Sequence, residues 1–239
     1  MRIWSKLALV ALVGATPAQA GEVFVDEFDA PDLGESWMIT SPDPDKFIVE
    51  NGALLLVTTG PGSLADATVP NVLQLDVPLP EGDWAMSVRF SAEFQTAREV
   101  LYMGLMESPD RYLMASVYTA GDQYYGWTIN VGAYKKSGDE ESVFNRQLAS
   151  MGCNVCDADR MFPNFAETIG QPVELRMERR GRQYIVSAKL TGADYDWVVL
   201  EKLTSLRSPG IPTLYVTQSE DSSGESLYLV ESMRIETLE

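Results

Sequence analysis

The sequence predicts an all-β protein whose two antiparallel sheets pack face to face as a sandwich. Apolar and polar residues alternate with period 2 through many short segments. Turns rich in Gly, Pro, Asn and Asp separate those segments at close spacing. One pair, Val173–Glu178 and Gln183–Leu190, is joined by Arg179-Arg180-Gly181-Arg182, a hairpin signal with Gly in the turn.

The chain opens on a different kind of segment. Arg2 and Lys6 form a short basic region, Leu7–Val13 is apolar, and Ala18-Gln19-Ala20 precedes Gly21. This is the pattern of a cleaved export signal over residues 1–20, and its apolar run is too short for a membrane anchor, which needs roughly 18–20 residues. Export to a secreted or periplasmic location is the expectation. Residues 21–239 then form a single domain, long enough for a sizeable core.

Within that domain the alternation is explicit. In Trp84–Ser91, Trp84, Met86, Val88 and Phe90 face one way, and Ala85, Ser87, Arg89 and Ser91 face the other. Val100–Met106, Tyr112–Tyr118 and Gly126–Tyr134 repeat the pattern. Further strands are expected at Phe47–Val49, Ala53–Val57, Trp197–Leu203, Thr213–Thr217 and Ser226–Glu236. The core should include Trp84, Val88, Phe90 and Leu175. Residues 135–171 break the rhythm: a charged run, Ser137-Gly138-Asp139-Glu140-Glu141, precedes the two cysteines, and a short helix is expected near Glu141–Leu148. An irregular insertion of this length is usually functional or disordered, and a disulfide at its centre argues against complete disorder.

Charge and cysteine usage exclude several functions. The chain has 18 basic and 35 acidic residues, a formal charge of −17. Such a surface repels phosphate backbones and anionic lipid, so no nucleic-acid partner and no membrane insertion are expected. Cys153 and Cys156 are the only cysteines and there is no histidine, so Cys and His cannot build a four-ligand zinc site. In an exported chain the pair is expected to form a local disulfide. A serine–histidine nucleophile is impossible.

Several segments together resemble the concanavalin A-like lectin/glucanase superfamily, and most closely the C-terminal accessory domain of family 43 glycoside hydrolases. They are Val25-Asp26-Glu27-Phe28-Asp29 with Trp37, Asn51-Gly52-Ala53-Leu54, Gly82-Asp83-Trp84-Ala85-Met86, Met103-Gly104-Leu105 with Asp110-Arg111-Tyr112, and Leu175–Gly181. The resemblance implies a jelly-roll sandwich that binds a glycan or polysaccharide. It also implies a structural calcium held by Asp29, the Gly52 carbonyl and Glu231, since calcium prefers such oxygens. The separate catalytic propeller of the family 43 hydrolases has no counterpart in this length of chain.

Catalytic carboxylates on one strand, as the superfamily's glucanases carry them, are not found, so a non-catalytic protein is expected. A polysaccharide hydrolase or lyase with an unrecognised site, or a cell-envelope interaction module, are the alternatives. For glycan binding, alternation sets Arg89, Tyr102, Tyr112, Tyr118, Thr128, Asn130 and Arg176 away from the core. The expectation is one concave face, with Arg favouring acidic sugars through its planar fork of donors. Strand propensity alone also accounts for the tyrosines. Tyr124, Tyr125 and Trp127 form a second aromatic cluster.

Overall fold

Strands alone, with no helix, build the described part of the computed structural model, residues 21–59, 69–94, 99–122, 126–150, 171–191, 196–200, 202–204, 210–218 and 225–239. The first sheet joins β1 (Glu22–Asp26), β3 (Phe47–Glu50), β4 (Ala53–Val57), β6 (Trp84–Ala92), β11 (Val173–Arg180), β12 (Gln183–Leu190), β13 (Val198–Val199), β14 (Leu203–Thr204) and β16 (Leu227–Thr237). The second joins β2 (Trp37–Thr40), β5 (Val72–Leu75), β7 (Glu99–Ser108), β8 (Arg111–Asp122), β9 (Gly126–Ser137), β10 (Glu140–Ser150) and β15 (Ile211–Gln218). Every pairing is antiparallel. The all-β antiparallel sandwich is therefore observed.

The core lies between the sheets, and period-2 alternation explains its membership. Trp84, Met86, Val88 and Phe90 of β6 meet Leu175 and Met177 of β11 on one side. Leu101, Met103 and Leu105 of β7 and Leu113, Ala115 and Val117 of β8 supply the other. Burying these side chains stabilises each by roughly 1.5–3 kcal/mol relative to exposure. The expected core residues Trp84, Val88, Phe90 and Leu175 are all buried there.

Two acidic residues explain the sequence motifs that surround them. Asp26 accepts hydrogen bonds from the Phe28 amide (2.8 Å) and the Trp37 indole (2.7 Å). It thereby fixes the turn after β1, where Phe28 takes a positive φ of 53°, against the edge of the other sheet. Asp83 accepts from the Gly181 amide at 2.7 Å, tying the start of β6 to the β11–β12 hairpin turn. Gly181 has φ +59°, the conformation that a tight hairpin demands.

The irregular insertion expected over 135–171 is corrected in its first part. Residues 135–150 complete β9 and form β10, and no helix occupies 141–148. The charged run is the hairpin turn: Ser137 pairs with Glu140, Gly138 has φ +64°, and the Gly138 amide donates to the Asp110 carbonyl at 2.9 Å. Charged residues sit there because the turn and the β10 edge face water. Phe144, Leu148 and Ala149 are the inward residues of β10. The strand expected over Trp197–Leu203 appears as the short β13 and β14. Cys153 and Cys156 lie outside the described residues, as do Tyr124, Tyr125 and the Trp127 side chain.

Candidate functional site

Alternation gives each sheet an outer face, and the two faces differ in chemistry. On the seven-stranded sheet, register places outward residues in rows across the strands. One row runs Gly132, Ser116, Tyr102, Tyr215. The next runs Tyr134, Met114, Gly104, Thr213, Gln74. A third runs Glu141, Lys136, Tyr112, Met106, and Asn130 pairs with Tyr118.

Small residues in these rows let the tyrosines lie down. A Cβ on Gly132 would stand 2.7 Å from Ser116 Oγ and 2.8 Å from Tyr134 Cε2, so only Gly leaves room for that ring. Tyr134 meets Tyr102 edge-on, with ring centroids 5.6 Å apart. Tyr102 in turn stacks on Tyr215 at 4.8 Å with 15° between planes. Such pairs add roughly 0.5–1.5 kcal/mol beyond burial. Tyr215, Met114, Val69 and Val72 form a small apolar cluster beneath the partly exposed Tyr102, Tyr112, Tyr134 and Met106.

The hydroxyls of this cluster stay protonated. Burial is the main cause raising the Tyr102 pKa above the ordinary tyrosine range, and a hydrogen bond to Tyr134 adds to it. Tyr112 is raised by burial, then by its hydrogen bond to Glu141 Oε1 at 3.0 Å. Burial also raises Tyr118 and Tyr134. The face therefore presents neutral rings edged by hydroxyl and amide groups. Asn130 donates to Thr128 Oγ1 at 2.8 Å, and Thr128 donates to the Ala120 carbonyl at 3.2 Å.

The single concave platform expected from the sequence does not form. Tyr102, Tyr112, Tyr118, Thr128 and Asn130 share the seven-stranded sheet, whereas Arg89 and Arg176 lie on the nine-stranded one. Alternation sorts residues into inward and outward; it carries no information on which sheet's outer face they reach. Tyr134, Tyr215 and Met106 complete the face and were missed. Tyr134 follows Tyr118, Asn130 and Thr128 in the same alternation, and that signal was sufficient to find it.

The two arginines join a lattice of ion pairs. Arg89 Nε lies 2.6 Å from Glu231 Oε2. Arg176 bonds Glu178 and Glu236, each at 2.9 Å, and Arg180 meets Glu178 at 3.1 Å. Lys189 pairs with Glu174, and Arg234 with Glu27. Burial opposes the Arg176 charge, but Glu178 and Glu236 outweigh it and raise its pKa.

Of the calcium residues, Asp29 and Gly52 come together: a Cβ on Gly52 would stand 3.3 Å from Asp29 Oδ1. Gly52 has φ +75°, so glycine is also required there by the backbone. Glu231 sits at the bulge of β16, beside β4, and its carboxylate is engaged by Arg89. Asp29 and Gly52 are therefore neighbours, whereas Glu231 is taken up by Arg89, and no group of three metal-ligating side chains comes together among the described residues.

Comparison with solved structures decides the fold. The GH43B protein of a Bacteroides ovatus xyloglucan locus superposes with a TM-score of 0.65 at 12% identity, over 97% of this chain and 42% of that one. A legume lectin-like domain from Entamoeba histolytica gives 0.56 at 10% identity, over 85% and 91%. The fold is that of a concanavalin A-like sandwich. The same sandwich forms part of the GH43 structures on which this chain superposes. A CBM2 module of the evolved Dit of Lactobacillus casei BL23 phage J-1 shares the sandwich as well, with a TM-score of 0.58 at 11% identity over 91% and 95%. This chain spans about two fifths of the GH43 structures it matches. No protein-family model and no curated protein sequence matches it.

Proposed function

We propose that this protein is an exported, non-catalytic carbohydrate-binding domain, and that the outer face of the seven-stranded sheet is its glycan site. The observation that carries the reading is the cluster Tyr102, Tyr112, Tyr134 and Tyr215 with neighbouring Tyr118 and Asn130. Aromatic rings held neutral stack on sugar C–H faces, and planar amides and hydroxyls meet sugar hydroxyls. The lectin-like and carbohydrate-binding-module neighbours support it by analogy of fold. The acidic groups at this face are already committed, Glu141 to Tyr112 and Glu107 to Arg111, which favours binding over cleavage.

The Bacteroides neighbour belongs to a xyloglucan system, which makes xyloglucan the first polymer to test. Calorimetric titration of a neutral-polysaccharide panel should show binding with xyloglucan or a related neutral glycan. New reducing ends or unsaturated products in the same mixtures would replace the binding reading with a hydrolase or lyase. Failure of every glycan to bind would end it. The exported chain should begin at Gly21 with Cys153 and Cys156 joined, and one intact-mass measurement before and after alkylation checks both.

Calcium belongs to the same proposal as a structural ion on Asp29 and the Gly52 carbonyl. When bound it would tie the turn after β1 to the β3–β4 turn. Chelation should lower the melting temperature of the wild type and leave Asp29→Asn unchanged; equal curves with and without chelator would remove the ion from the account.

A further inference from the structure

Where the tyrosine face reaches β5, it ends in a cavity of about 220 Å³. Val69, Val72 and Met106 line it with apolar surface, and Thr40, Gln74 and Ser108 stand around them. Val69 and Val72 belong to the cluster under the tyrosines, and Met106 packs against it. Met106 pairs directly with Tyr112, and Thr40 with Val72. One strand spacing, about 4.8 Å, therefore separates Met106 from Tyr112, and Tyr134 stands one strand further on.

The backbone holds this arrangement firmly. Gly210, with φ +140°, lies so close to β7 that a Cβ would fall 2.0 Å from the Met106 carbonyl. No other residue lets the chain enter β15 at that point without displacing the β7 backbone, which sets where Met106 stands in its strand.

We propose that this cavity is a subsite for a methyl group carried by an uncharged sugar, an O-acetyl ester or a methyl ether. The sugar ring itself would lie against Tyr112 and Tyr134. The inference rests on the glycan reading of the tyrosine face and specifies what that face selects. Apolar walls reward a methyl group, because its transfer from water is favourable. A bare hydroxyl gains nothing from those walls and gives up part of its water beside them. Glu107 also lines the cavity, its carboxylate paired with Arg111 at 3.0 Å. The cations nearest the rings, Arg111 and Lys136, are each paired with a carboxylate, Glu107 and Asp110, as Arg89 and Arg176 are on the opposite sheet. An uncharged, methyl-bearing sugar satisfies all of these conditions.

Wild-type protein labelled at Met and Val methyls is titrated with O-acetylated xyloglucan oligosaccharides and with the same preparation after mild alkali. A second pair, 3-O-methyl-D-glucose and D-glucose, isolates the ether. A seated methyl should tighten binding about fourfold. The Met106 and Val72 methyl signals should move only with the methyl-bearing member, while Tyr112 and Tyr134 ring signals move with both. Discrimination within the first pair assigns the ester, and within the second the ether. Thr40→Trp fills the cavity and should bring the acetylated affinity down to the deacetylated value. Ring signals that move equally with both members, while Met106 stays still, overturn the subsite and leave the glycan face standing. Ring signals that move with no sugar overturn both.

Discussion

The two outer faces of this sandwich obey the same alternation and reach opposite chemistries. On the nine-stranded sheet, Arg89, Arg176, Arg180, Lys189 and Arg234 are each matched to a glutamate. On the seven-stranded sheet, Tyr102, Tyr112 and Tyr134 cover Met114, Val72 and the buried Tyr215, and the hydroxyls stay neutral. An ion-pair lattice is satisfied by its own members and keeps its hydration. A layer of rings over apolar residues leaves surface that gains when a ligand removes it from water. In a chain of net charge −17, the face with few unpaired charges is the one that can accept a neutral polymer.

The contrast predicts unequal costs of truncation. Tyr215 is 3% exposed and stacked on Tyr102. Tyr215→Ala should therefore destabilise the fold by roughly 3–5 kcal/mol, the range for deleting a large buried ring. A denaturation midpoint close to wild type would show that the cluster is not packed as described.

Alkali should act next. Folded-state values of Tyr102, Tyr112 and Tyr215 lie above the ordinary value, mainly through burial. A raised pKa means the folded state holds the proton more tightly. The stabilisation is complete below about pH 10, where unfolded tyrosines are also protonated, and is lost as pH rises above that. Thermal melts should be level from neutral pH to about 9 and fall beyond about 10. Replacing Tyr102 with Phe should soften that fall; an unchanged profile would contradict it.

Much of this was legible in the sequence because burial and strand geometry are local properties. Trp84, Met86, Val88 and Phe90 declare a buried face through spacing alone, and Gly181 declares its turn. What was not legible depends on long-range pairing. Arg89 and Tyr102 read identically as outward residues, and only the placement of β6 and β7 in different sheets separates them. The β10 strand was hidden for another reason. As an edge strand it has exposed polar residues at most positions, and its charged turn resembles the start of a solvated loop.

The lattice should give the smallest effect. Arg89 and Glu231 are both partly solvated, with side-chain exposures of 46% and 31%. Arg89→Ala should cost under about 1 kcal/mol, and less in high salt. A larger loss would mean that the nine-stranded face has a role beyond surface charge balance.

The most direct test sets the two faces against each other in one titration. Wild type, Tyr112→Ala with Tyr134→Ala, and Arg89→Ala are each titrated with xyloglucan under identical buffer and salt. Loss of two stacking rings should weaken binding by about tenfold or more, with the melting temperature recorded for each variant. Arg89→Ala should match wild type. If removal of Arg89 weakens binding while the tyrosine pair can be deleted without effect, the glycan lies on the nine-stranded sheet and the assignment of faces is reversed.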